Sequence, residues 1–220
     1  EIEKIEWIRL HYTYPAGFPD EVIEFIASEK KICKYIDIPL QHINNKVLKL
    51  MRRGHNRKTT LRLISNLREL IPNICIRTTL LVGHPGEGNE EFEELKEFVK
   101  EVRFDRLGVF TYSEEEGTYG AQNLKDEIPE EIKSERADEI MAIQQEISYQ
   151  LNQNKIGEIY KVLVDRVEGE FFVGRTEFDS PEVDNEILIA RENTELQIGE
   201  FYKVEIESAK DYDLFGQIVN

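Results

Sequence analysis

The chain predicts a two-part architecture: a parallel α/β sheet built from four strand–helix units, then a small closed barrel of five strands. Three observations carry this. Residues 7–112 alternate between short apolar runs stopped by Pro or Gly and stretches with helical period. Residues 129–155 hold one long amphipathic pattern. From about residue 157 the period changes to two, with turn residues between short β-branched runs.

The elements follow in order. WIRLHYTY (7–14) reads as a strand stopped by Pro15, and DEVIEFIASEK (20–30) as a helix with Asp20 at its N-cap and apolar residues at 22, 23, 26 and 27. KYIDI (34–38) is a second strand ending at Pro39. NNKVLKLMRR (44–53) is a short helix closed by Gly54, and TTLRLISNLREL (59–70) another, followed by Pro72. ICIRTTLLV (74–82) is a third strand, EEFEELKEFVKEV (90–102) a helix, and DRLGVFTY (105–112) a fourth strand. Such alternation demands parallel strands joined by helical crossovers. Apolar residues on both faces of 34–38 and 74–82 predict a sheet covered on both sides. Four units are too few to close a barrel, so one edge is left unpaired.

A polar loop is expected over 113–128. PEEIKSERADEIMAIQQEISYQLNQNK (129–155) reads as a helix whose stripe is Ile132, Ala137, Ile140, Ile143 and Ile147. KVLVDRV, EFFVGRT, NEILIA, FYKVEIESA and DLFGQIV then supply five strands of an OB-like barrel. The domains are thus read as 1–128, a connecting helix 129–156, and 157–220.

Charge narrows function. The 220 residues carry a net charge of −16. Residues 156–220 hold 6 basic against 16 acidic residues, a balance of −10, which repels a phosphate backbone and attracts a basic partner. The stretch from Pro39 to Arg68 is the exception, with eight basic residues and no acid. Contact with RNA or with an anionic cofactor group through residues 46–68 is the functional reading there, and a solvated helix face the structural one. Cys33 and Cys75, 42 positions apart, form no metal-binding pair and read as buried thiols of a cytoplasmic protein. No apolar run approaches the ~20 residues of a membrane helix. The first residue is Glu1, which suggests a piece of a longer protein.

TTLLVGHPGEGNEEFEE (78–94) is a strand running into a glycine turn and an acidic helix start. A Walker loop needs GxxxxGK[ST], absent here, and Glu87, Glu90 and Glu91 would repel a triphosphate. The C-terminal ends of parallel strands nevertheless hold ligands. Gly83 and Gly86 are expected to let backbone approach a neutral or zwitterionic cofactor with a flat base. Gln41 and His42 follow one strand, and Phe110 and Tyr112 end another, where a ring can stack on a base.

IDIPLQHINNKVLKLMRRG, IRTTLLVGHPGE, GVFTYSEEEGT and VGRTEFDSPEVD, in this order, resemble the radical S-adenosylmethionine methylthiotransferases. The resemblance spans the whole chain and is closest to the branch that modifies an aspartate of a small-subunit ribosomal protein. It implies the last four βα units of a six-unit barrel, followed by a TRAM barrel. It also implies S-adenosylmethionine and, in the full-length protein, two [4Fe–4S] clusters, an adenosyl radical drawing hydrogen from the aspartate β-carbon, and transfer of a methylthio group. The family's CxxxCxxC motif is absent from this chain, so no cluster is expected here and the fragment alone is expected to be inactive. By resemblance Gln41, Thr79, Val82, Gly83, Phe110 and Tyr112 line the cofactor site, and Arg9 or Arg77 pairs with the methionyl carboxylate. Arg175, Phe178, Asp179, Glu182 and Asp184 are the candidate partner contacts of the acidic barrel. The sister branch modifies a transfer-RNA adenosine and its basic TRAM domains grip RNA, so the charge favours a basic ribosomal protein as partner, with ribosomal RNA beside it as the candidate contact of residues 46–68. The competing readings are the transfer-RNA enzyme and a non-catalytic acidic adaptor.

Overall fold

The computed structural model describes residues 3–192 and 195–219, in two compact units, Glu1–Gln144 and Gln145–Asn220. In the first unit β1 (Ile8–Leu10), β2 (Ile32–Asp37), β3 (Cys75–Val82) and β4 (Arg106–Thr111) form one parallel sheet in sequence order. The crossovers are α1 (Asp20–Ser28), α2 (Asn45–Leu50) with α3 (Arg57–Leu70), and α4 (Asn89–Val102). Local chemistry sets their ends. Asn44 caps α2 by accepting from the N–H groups of Lys46 and Val47, and Asn56 caps α3 in a reciprocal box with Thr59. α1 starts one residue earlier than its acid suggested: Pro19 holds the cap position, and Asp20 lies in the first turn with Glu21.

Two expectations change. β1 is three residues long because Tyr12 adopts φ +56, and beyond it both the N–H and the hydroxyl of Thr13 donate to the Asp37 carbonyl. The sheet is not covered equally on both faces. Ile76, Thr78, Leu80 and Val82 are buried, while the alternate residues Arg77, Thr79 and Leu81 are half-buried. Register puts Asp37, Arg77 and Arg106 abreast on that less covered face, with Thr79 beside Gly108 and Leu81 beside Phe110.

The segment read as a loop contains α5 (Tyr119–Asn123), capped by the Thr118 hydroxyl. α6 (Glu130–Gln153) follows. Its buried residues in the first unit are Lys133, Arg136, Ile140 and Gln144, whereas Ile132 is 37% exposed. Of the expected stripe, Ile140 and Ile147 are buried and Ala137 and Ile143 half-buried, so only its first member, Ile132, lies off the buried face; there α6 buries cations against carboxylates, a pattern hydropathy reads as a polar face.

The second unit is a closed barrel in the order β5–β6–β7–β9–β8, from β5 (Ile159–Glu168), β6 (Phe171–Arg175), β7 (Glu186–Ala190), β8 (Phe201–Ala209) and β9 (Asp213–Ile218). Only β7–β9 is parallel. Val162, Val164, Phe172, Ile187, Ile189, Val204, Ile206 and Leu214 fill it. Gly174 and Gly216 allow the walls to approach: a Cβ at Gly216 would lie 2.5 Å from the Glu205 carbonyl oxygen and 2.6 Å from Val204 Cγ1. Buried Asn152, near the end of α6, donates to the Lys210 and Asp211 carbonyls and accepts from Asn185.

Candidate functional site

At the C-terminal ends of β2, β3 and β4 lies a cavity of about 480 Å³, a size suited to a small ligand. Gln41 and Leu81 form one wall, Leu50, Met51 and Arg53 another, and Thr111, Tyr112, Tyr119 and His84 close it.

Gln41 is there because the chain bends at Pro39 and returns to β3. The Gln41 N–H donates to the Thr79 carbonyl (2.8 Å), and its own carbonyl accepts from the Leu81 N–H (2.7 Å). These bonds hold Gln41 at φ +68, a left-handed conformation that costs a non-glycine residue about 1–2 kcal/mol. Strain of that kind persists where surrounding structure over-determines it. On the opposite wall the Tyr112 N–H donates to the Val82 carbonyl (2.8 Å), and its ring stands edge-on to His84 at 5.0 Å. The Tyr112 hydroxyl is buried with no hydrogen-bond partner, and burial, with Glu114 and Asp126 nearby, raises its pKa, so it stays a donor. Arg53 donates through Nη2 to the Pro39 carbonyl (3.2 Å), and its Nε is likewise buried with no hydrogen-bond partner. At the rim the Arg52 guanidinium lies 3.5 Å from the centre of the Tyr119 ring. Flat rings, aliphatic walls and two unsatisfied donors suit a nucleoside better than a polyphosphate.

The glycine turn works differently from its sequence reading. A Cβ at Gly83 would overlap the Lys133 side chain, and one at Gly86 would overlap Leu50. Both glycines make room for the protein's own side chains rather than for a ligand. Buried Glu87 receives the Gly83 N–H (2.9 Å) and Arg136 Nη1 (2.8 Å). Glu91 accepts from the Gly88 N–H (2.8 Å) and from Lys46 (2.7 Å). The acids of this turn bind its own backbone and neighbouring cations.

Of the nominated cofactor residues, Gln41 and Tyr112 meet in the cavity. Val82 is fully buried, so only its backbone reaches the strand end. Thr79 and Phe110 lie on the less covered sheet face, Phe110 63% exposed. Arg9 stacks over Tyr35 at 4.4 Å, and Arg77 Nη1 is 3.7 Å from the buried Asp37 carboxylate. Leu50, Met51, Arg53, Thr118 and Tyr119 were missed. The one signal for the last pair was a threonine three residues before an alanine-containing turn, a weak cap pattern.

The nominated barrel contacts are mostly internal braces. Asp179 is buried and accepts from the Thr176 hydroxyl (2.5 Å), and Asp184 accepts from the Ser180 N–H (2.8 Å). Arg175 lies 2.9 Å from Asp165, and Phe178 packs against Tyr160. Glu182, at φ +67, is exposed beside Val183. Of the eight cations in 39–68, five are engaged: Lys46 with Glu91, Arg57 with Glu94, Arg68 with the Arg103 carbonyl, Arg53 with the Pro39 carbonyl and Arg52 on Tyr119. No helix among the described residues is long and apolar enough to cross a membrane. No group of three or more His, Cys, Asp or Glu among them could hold a metal ion, and Cys33 and Cys75 are buried.

Comparison with known proteins places these features. Residues 1–99 match the radical SAM superfamily, and residues 156–219 match the TRAM domain. The ribosomal protein uS12 methylthiotransferase RimO of Bacteroides fragilis is 56% identical over 219 residues, covering 100% of this chain and 51% of the relative. The protein of the same name from Christiangramia forsetii is 54% identical over 220 residues, covering 100% and 49%. The chain therefore spans about half the length of the curated relatives it matches. The radical SAM enzyme coproporphyrinogen III oxidase (HemN) of Escherichia coli shares the fold, with a TM-score of 0.55 and 22% identity over 66% of this chain and 33% of that one.

Proposed function

Because the chain belongs to the radical S-adenosylmethionine methylthiotransferase family, we propose that it supplies the cofactor-lining and target-binding half of an enzyme acting on ribosomal protein uS12 in the cytoplasm. The full-length protein adds a methylthio group to the β-carbon of an aspartate of that protein. The strand-end cavity, with strained Gln41 facing the Tyr112 and Tyr119 rings, is the observation that carries this reading.

S-adenosylmethionine, when bound, supplies the methyl and adenosyl groups. Gln41, Arg53 and Tyr112 would hold its nucleoside through hydrogen bonds, and Tyr119 through its ring. Thr79, Phe110, Arg9 and Arg77, on the adjoining sheet face, would border the methionyl portion and the entering target. Val82 and Gly83 contribute backbone only. The described residues do not fit an iron–sulfur cluster, and the isolated chain is proposed to be inactive.

A protein target suits the charge. The barrel half carries −10, which steers a basic ribosomal protein and repels RNA. The transfer-RNA alternative rests on the cations of residues 46–68, most of which are engaged locally. The test incubates the cluster-loaded full-length protein with purified uS12 and with transfer RNA, reading mass gain on each. Methylthiolation of uS12, and none by the 220-residue chain alone, is expected. Modification of transfer RNA, or RNA binding that weakens steeply with salt, overturns the reading.

A further inference from the structure

We infer that Glu87 is a positioning residue for the cofactor cavity, acting through His42, Gly83 and Arg136 without lining the cavity itself. The inference rests on reading that cavity as the S-adenosylmethionine site.

The Glu87 and His42 side chains are both 0% exposed. His42 Nδ1 accepts the Asn44 N–H at 2.9 Å. That nitrogen therefore carries the lone pair, and the ring's other nitrogen, Nε2, faces Glu87 Oε2 at 3.3 Å, a buried polar contact outside hydrogen-bond geometry. The other oxygen, Oε1, takes the Gly83 N–H and Arg136 Nη1. Arg136 also donates to the Glu87 carbonyl and to Asn89 Oδ1, both at 3.1 Å. One carboxylate thus ties together the loop after β2, the turn after β3, the start of α4 and the first part of α6.

A buried ion pair adds little net stability over well-packed apolar residues of the same volume. What this one adds is placement. Gln41 precedes His42 directly, and its left-handed backbone is held by β3 on one side and by buried His42 on the other. His84 follows Gly83 directly. Gln41 and His84 both line the cavity, so Glu87 sets two of its walls at once without touching a ligand. A loose Glu87 would let the Gln41 amide drift.

The test compares Glu87→Gln with Val99→Ala, a fully buried α4 substitution outside this junction, in the full-length, cluster-loaded protein. Three quantities are read: the unfolding temperature, the S-adenosylmethionine dissociation constant and amide exchange at Gln41 and Gly83. Glu87→Gln is expected to weaken S-adenosylmethionine binding about ten-fold and speed both exchanges, with uS12 affinity unchanged. Val99→Ala is expected to lower stability and leave cofactor affinity alone. Equal loss in both variants, or none in Glu87→Gln, overturns the inference. Should Glu87→Gln not fold, Glu87→Asp, which keeps the charge with a shorter reach, is expected to show the same split. If the wild type binds no S-adenosylmethionine, the cofactor reading fails. Exchange at Gln41 and Gly83 then decides the positioning claim alone: faster supports it, unchanged overturns it.

Discussion

Gly83 joins backbone conformation to packing. Its φ is +75, and the space where a Cβ would stand is filled by Lys133. Gly83→Ala meets both the left-handed penalty and overpacking, together about 2–5 kcal/mol. A urea melt of the variant is expected to show that loss. His84 and His55 add a pH dependence. Burial lowers both imidazole pKa values below the ordinary 6.5; the Pro85 and Leu40 carbonyls oppose the shift, and Arg53 reinforces it at His55. The unfolded chain then binds protons that the folded one refuses. This stability is fully present above pH 6.5 and is lost as pH falls through the lowered folded-state values. Calorimetry from about pH 7 to about pH 5 is expected to show a falling unfolding temperature, with a shallower fall in His84→Phe. Residue identity alone announced neither role. A glycine at the end of a parallel strand reads as a ligand turn until the buried lysine against it is seen.

At the scale of elements, periodicity gave most of the fold. The crossover helices α1, α3 and α4, strand β3 and the barrel strands were legible because each buries one phase of its pattern, while β1, β2 and β4 were marked by apolar runs bounded by turn residues. Three features were not. α5 is five residues long and has no buried residue, so nothing in its pattern separates it from a loop. The first half of α6 buries Lys133 and Arg136 against Asp126, Glu130 and Glu87, and charge pairing leaves no hydrophobic trace. β3 has one buried and one half-buried face because the sheet is open, and Leu81 disguises this. The cavity was half legible: Gln41 and Tyr112 follow strands directly, while Arg53, Thr118 and Tyr119 arrive through helix ends that only the folded chain brings together. In the barrel, Gly216→Ala would drive a methyl group against Val204 and the Glu205 carbonyl. A loss of about 1–3 kcal/mol is expected, measured as faster amide exchange along β8 and β9.

For the whole molecule, chemistry and charge lie in different units. The first carries the cavity and the basic stretch of residues 39–68, and the second carries most of the acidic excess. The proposed function draws on both: the cavity for the cofactor, the acidic barrel for a basic target. The central claim is that the strand-end cavity receives S-adenosylmethionine. Its most direct measurement is a titration of the isotopically labelled chain with S-adenosylmethionine, following backbone amide shifts. Saturable shifts centred on Gln41, Leu81, Tyr112 and Tyr119 are predicted. Shifts confined to residues 157–219, or none that saturate, would contradict the claim.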